Sequence, residues 1–185
     1  VVISVLPPET CSACGAKTEA FVCLGLADDA KAPMAKTAFA GKVLVVGAGG
    51  AAVAATKAMR ENNDSCAITL VTKEAEKPYY RPSLTKLLGD PSVRADPAFR
   101  LVPEDWFSSQ RVEVIPSSEV ASIDMATRKA TIRDRSGGQQ VVSFDKLILA
   151  TGGNNFVPVP DLPAGNVFGV RLPSDVDAVS SFLNA

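Results

Sequence analysis

Two stretches of the chain carry residues whose type and spacing could do chemistry. Gly47-Ala48-Gly49-Gly50-Ala51-Ala52 fits G-x-G-x-x-A. In that pattern the first glycine allows a tight turn, the second lets the backbone approach a pyrophosphate, and a small last residue lets a helix pack closely on a sheet. Exposed amides at the start of the following helix would favour an anion. Cys11-Ser12-Ala13-Cys14-Gly15 is a C-x-x-C-G knuckle, whose two thiolates could fill half of a tetrahedral metal site. Spacing alone leaves iron, zinc and unligated thiols all open. Cys23 stands apart, and Cys66 begins an apolar run where it should pack as a small hydrophobe. The chain has no histidine, which excludes within it a Ser-His-Asp or Cys-His nucleophile and any His-ligated metal.

The elements that must position the glycine turn are legible on both sides of it. Lys42 to Val46 is a short β-branched run, Ala51 to Glu61 holds helix formers without proline, Asn62-Asn63-Asp64 stops the helix, and Ala67 to Val71 supplies a second strand. Strand, turn, helix and strand make a βαβ unit, which must be parallel and right-handed. Ser83 to Leu88 is a short helix with Ser83 as cap and Gly89 as stop. Val112 to Ile115, Glu119 to Asp124, Lys129 to Arg133 and Gln140 to Ser143 read as a β-meander, with a polar turn from Asp134 to Gly138. Leu147 to Ala150 is a continuous apolar run, as in a strand buried on both faces of a parallel sheet. The segment from 26 to 40, with Pro33 and no apolar period, reads as a linker between a unit at 1–25 and a domain at 41–185.

The 185 residues suffice for one domain and a short appendage. Nineteen basic against 20 acidic residues leave no surplus field for a nucleic acid or an anionic membrane. No stretch reaches the roughly 18 apolar residues of a membrane span, and Val1 to Leu6 lacks the basic start and cleavage site of a signal peptide. A cytoplasmic location is expected. The chain opens on Val1 and closes inside a helical pattern at Ser174 to Leu183, so an internal fragment is expected as well.

Lys77-Pro78-Tyr79-Tyr80-Arg81-Pro82-Ser83-Leu84-Thr85-Lys86 resembles the P-Y-x-R-P-x-L-S-K segment of the pyridine-nucleotide-dependent flavoprotein reductases. The likeness is to the branch that holds ferredoxin and rubredoxin reductases, the nitrite reductase large subunit and apoptosis-inducing factor. Asp145-Lys146-Leu147-Ile148-Leu149-Ala150-Thr151-Gly152-Gly153 resembles that family's D-K-L-I-I-A-T-G-G strand and turn. The three motifs stand in the family's order, and the resemblance covers residues 41 to 185.

The resemblance implies a Rossmann-like, three-layer α/β FAD-binding domain that is incomplete here, with NAD(P)H as the reductant of the whole protein. It places Gly47, Gly49, Gly50 and Ala51 at the pyrophosphate, Arg81 and Lys86 at the flavin, with Lys86 as the catalytic candidate, and the backbone of Val120 at the adenine. Ala150, Thr151 and Gly152 would close over the cofactor, and Arg171 would approach it. From its side chain alone, Val120 reads as ordinary strand core. An acidic residue is expected at the end of the second strand to bind a ribose hydroxyl. Lys73 aligns there, and Glu74, next in line, is the candidate. The family's disulfide-reductase branch carries a cysteine pair near the equivalent of Tyr79 to Lys86, where this chain has no cysteine. Electrons would therefore pass from flavin directly to an acceptor such as rubredoxin or another iron protein. The segment from Leu6 to Phe21 resembles the second half of rubredoxin, which implies iron at Cys11 and Cys14 with the other two ligands upstream. A non-catalytic dinucleotide-binding or redox-sensing module is the alternative.

Overall fold

The computed structural model describes residues 38–155 and 167–184, all within the second of the two units into which the chain divides, Lys36–Ala185. Cys11, Cys14, Cys23 and most of the expected linker lie outside the described residues.

The β-branched run becomes strand β1 (Lys42–Val46), the helix formers become α1 (Gly50–Asn62), and Ala67–Val71 is strand β2. The two strands pair in parallel with Val46 opposite Val71. Asn63 ends the helix by a specific device: its side-chain oxygen accepts from the amides of Ser65 and Cys66, both at 2.8 Å, and turns the chain into β2. Beyond β2 come α2 (Leu84–Gly89), the single-turn helix α3 (Trp106–Ser109) and strand β3 (Val112–Ile115). Strands β4 (Ser118–Asp124), β5 (Lys129–Asp134) and β6 (Gln139–Ser143) follow, then β7 (Lys146–Leu149) and finally α4 (Pro173–Leu183).

β3, β2, β1 and β7 form, in that order, one parallel sheet, while β4, β5 and β6 form a separate antiparallel meander. Alternation along β1 connects the layers, since successive side chains leave a strand on opposite faces. Val43 and Val45 pack with Ala52 of α1, Cys66, Ile68, Leu70 and Val112. Leu44 packs on the other face with Val71, Ala130, Ile132 and Phe144. The result is helix, parallel sheet and meander in three layers. A fully buried Leu, Ile or Phe contributes about 1.5–3 kcal/mol, against about 0–1 kcal/mol for an exposed ion pair, so these two apolar faces set the arrangement. A third cluster joins Tyr79, Leu84, Leu87 and Phe99 to Val176 of α4.

Three expectations are corrected. Val112–Ile115 belongs to the parallel sheet, paired with β2, and not to the meander. The change of sheet falls at Pro116, which cannot donate to a ladder, and at Ser117, whose φ of 51° turns the chain out of line. Ser83 makes no side-chain cap. It lies in a 3-10 turn (Arg81–Ser83) with helical backbone angles, and the amide of Leu84 bonds to Arg81 O, so the turn itself satisfies the helix start. Among the described residues β7 lies at the edge of the sheet, and there Leu149 is 65% exposed, where the apolar run led to the expectation of burial on both faces.

Candidate functional site

The carboxyl ends of β1, β2 and β7 lie side by side, and the glycine turn leaves β1 at that edge. The amide of Gly47 donates to Val71 O of β2 at 2.8 Å, and the amide of Ala150, just past β7, donates to Val46 O at 2.8 Å. Gly47 has φ of +113°, and a Cβ there would stand 2.2 Å from Ala150 O. The protein itself therefore demands glycine at position 47. Gly49 and Gly50 differ: a Cβ on either would meet no described atom within 4 Å. Gly49 is the N-cap of α1 and offers no side-chain oxygen to the helix amides, and the first turn holds no acidic residue. Amides at a helix start need partners, so this turn presents donors, the positive end of a helix dipole and unfilled space together.

The P-Y-x-R-P segment builds the second part. Tyr79 is buried and stacks on Phe99, with ring centroids 5.2 Å apart. Its hydroxyl donates to Glu74 Oε2 at 2.7 Å and accepts from Arg81 Nη1 at 2.8 Å. Burial and then the bond to Glu74 push the Tyr79 hydroxyl pKa well above its usual value. The Arg81 guanidinium lies 5.0 Å from the Tyr79 ring centroid, pairs with Glu74 Oε1 at 2.6 Å, and donates to the carbonyl of Arg171. Both oxygens of Glu74, the ribose candidate, thus have partners within the chain.

Arg171 is fixed from the other side by Asp175, whose Oδ2 accepts from the amides of Arg171 and Leu172, both at 2.8 Å. Gly152 has φ of +69°, and a Cβ there would lie 2.9 Å from Arg171 Nη2. Gly47 approaches Ala150, Gly152 approaches Arg171, and the Arg171 carbonyl accepts from Arg81, which in turn pairs with Glu74, although these residues come from four separate parts of the sequence. Ala51 and Thr151 are exposed neighbours of the turn and of Gly152. Lys86 is exposed on α2, one residue beyond the exposed Thr85. Val120 is half-buried on β4, an edge strand of the meander, and its side chain packs with the Leu44 cluster, as strand core.

Sequence reasoning passed over Glu119. Lys73, at the end of β2, pairs with Glu119 Oε2 at 2.9 Å, while Arg133 holds Oε1. A lysine where an acid is expected was the available signal that a carboxylate from elsewhere would pair with it. Among the described residues no group of three His, Cys, Asp or Glu side chains could hold a metal, and Cys11 and Cys14 lie outside them. No helix among them is long and apolar enough to cross a membrane.

The profile of the pyridine nucleotide-disulphide oxidoreductase family matches residues 41–184. The chain is 30% identical over 138 residues to the benzene 1,2-dioxygenase system ferredoxin–NAD(+) reductase subunit of Pseudomonas putida, covering 74% of this chain and 32% of that protein. It is likewise 30% identical over 138 residues to apoptosis-inducing factor 3 of Homo sapiens, covering 74% of this chain and 22% of that one. The crystal structure of NADH:rubredoxin oxidoreductase from Clostridium acetobutylicum matches with a TM-score of 0.63 at 30% identity, over 76% of this chain and 35% of that chain. The chain spans about a third or less of the length of these proteins.

Proposed function

Starting from a chain that belongs to the pyridine nucleotide-disulphide oxidoreductase family, we propose that it is the FAD-binding part of an NAD(P)H-dependent reductase that passes electrons to rubredoxin or a similar iron protein. The observation that carries this reading is the contrast within one turn. Gly47 is required by the approach of Ala150, whereas Gly49 and Gly50 face space that no described side chain fills. Gly89, Gly137 and Gly153 also face open space, but at Gly49 and Gly50 that space lies against uncapped amides at the start of a helix, a place that suits a pyrophosphate.

In this reading the amides of Gly49, Gly50 and Ala51 hold the pyrophosphate, and Ala150, Thr151 and Gly152 bound the same crevice from β7. Arg81 and Lys86 supply positive charge on the flavin side. Arg81 is held in orientation by Glu74, the Tyr79 hydroxyl and Arg171 O. When bound, FAD supplies the conversion of a hydride pair into single electrons, a chemistry that no side chain here provides. The Tyr79 to Lys86 segment holds no cysteine, so a protein thiol at that segment has no part in the transfer. The acceptor is proposed from the relatives, one named for a ferredoxin and one for rubredoxin.

The complete protein should purify with flavin absorbance that NAD(P)H bleaches. Gly49→Val should remove the flavin from a protein that still folds, because the branched side chain would fill the space against the amides. A folded wild-type protein that takes up no FAD, or a valine variant with full flavin content, would refute the reading.

A further inference from the structure

At the carboxyl end of β2 lies a groove of about 250 Å³ lined by Lys73, Ser117, Ser118, Glu119, Arg133 and Arg135, together with Asp134. It is anchored to the sheet edge, since the amide of Ser118 donates to Thr72 O at 2.8 Å and Arg135 Nη2 donates to Lys73 O at 3.3 Å. Thr72 directly follows Val71, whose carbonyl accepts the amide of Gly47. The groove therefore lies along the edge from which the glycine turn springs.

Two carboxylates line it, and of these Glu119 is the one paired with Lys73 at the end of β2. Asp134 is engaged in its own turn: Oδ1 accepts from the amides of Ser136 and Gly138 and from the Ser136 hydroxyl, at 2.8, 2.9 and 2.6 Å. Glu119 has one cationic partner on each oxygen, Lys73 and Arg133. A carboxylate has about four lone-pair sites, so each oxygen retains one. The Lys73 ammonium, with three donors and 75% of its side chain exposed, also has donors left beyond its bond to Glu119. Acceptors and donors so placed together suit vicinal hydroxyls, each of which can give one hydrogen bond and take another. Glu74, the nearer carboxylate in sequence, does not line the groove and turns instead to Arg81 and Tyr79.

We propose that Glu119, held by Lys73 and Arg133, receives the hydroxyls of the adenosine ribose of FAD, in place of the acidic residue that the end of β2 lacks. The proposal rests on the FAD reading above. The partners also keep Glu119 ionised: the hydrogen bonds from Lys73 and then Arg133 lower its pKa to about 2.

The test is binding of FAD and of FMN to the flavin-free complete protein, followed by quenching of flavin fluorescence, with circular dichroism to verify folding. FMN lacks the adenosine half and cannot reach the groove. Glu119→Gln should weaken FAD binding roughly tenfold or more, the loss expected for a hydrogen bond to a charged group, and leave FMN binding unchanged. Glu119→Asp, which keeps the charge on a shorter stem, should recover part of the FAD affinity. Should glutamine reduce FAD and FMN binding equally, or leave FAD binding intact, the assignment of Glu119 is overturned. If inorganic phosphate displaces FAD while Glu119→Gln has no effect, the groove is an anion site and the ribose assignment is wrong. Wild-type protein that binds neither flavin would instead overturn the FAD reading itself, so the two failures are distinct.

Discussion

A lysine at the end of β2 alters the demands on the carboxylate beside it. Glu119 stands between Lys73 and Arg133 with a pKa lowered to about 2 from an ordinary value of 4.5. A carboxyl whose pKa is lower in the folded than in the unfolded state stabilises the fold at pH values above 4.5, and that contribution is lost as pH falls from there toward 2. Lys73→Met should return the Glu119 pKa part of the way toward 4.5, with Arg133 still in place, and so shrink the acid-dependent loss of stability in that window. Carbon-13 NMR titration of the glutamate carboxyl measures it, and an unmoved pKa would show that Lys73 does not hold the carboxylate. The Tyr79, Arg81 and Glu74 cluster was visible only as a motif, because its meaning lies in the Arg171 carbonyl that accepts from Arg81 across 90 positions of chain.

Within the strand-turn-helix element, two glycines two residues apart do different work. Gly47→Ala places a Cβ against Ala150 O in a backbone region unsuited to side chains, and should cost about 2 kcal/mol or more. Gly49→Ala has φ of −74° and open space, and should cost less than about 1 kcal/mol as a helix-cap exchange. Urea unfolding midpoints of the two variants compare them, and equal losses would contradict the division between a structural and a ligand-facing glycine. Elements were the most legible scale. The bounds of β1, β2 and β3 agree with the apolar runs, and β1 and β3 end where Gly47 and Pro116-Ser117 turn the chain. What the runs could not convey was membership. Val-Glu-Val-Ile has the same alternation whether it pairs with β2 or with β4, and the decision fell to Pro116 and Ser117.

For the whole molecule, a ligand that binds only the folded state raises stability by mass action. FAD at a hundredfold its dissociation constant should add about 2.7 kcal/mol and so raise the melting temperature of the complete protein. Differential scanning fluorimetry of the flavin-free protein with and without FAD gives the shift. It should be absent in Gly49→Val, and its absence in the wild type would remove FAD from the proposal. The parallel sheet joins the glycine turn and the β7 turn into one edge, so a ligand held there contacts segments far apart in sequence. That is why stabilisation should extend across the domain and not only to α1.

The sequence by itself determined the local elements and the dinucleotide motif, because strands, a glycine turn and a helix follow from residue type and period over a few positions. Through a family resemblance it also offered Arg81, Lys86, Ala150 to Gly152 and Arg171 as site candidates. Tertiary structure alone decided which charges face one another. Glu74 is adjacent to Lys73 in sequence yet turns to Arg81 and Tyr79, while Glu119, 46 positions further on, meets Lys73 because β4 returns beside the end of β2. Side-chain pairing depends on three-dimensional distance and on what other partners are near, and neither quantity is written in residue order.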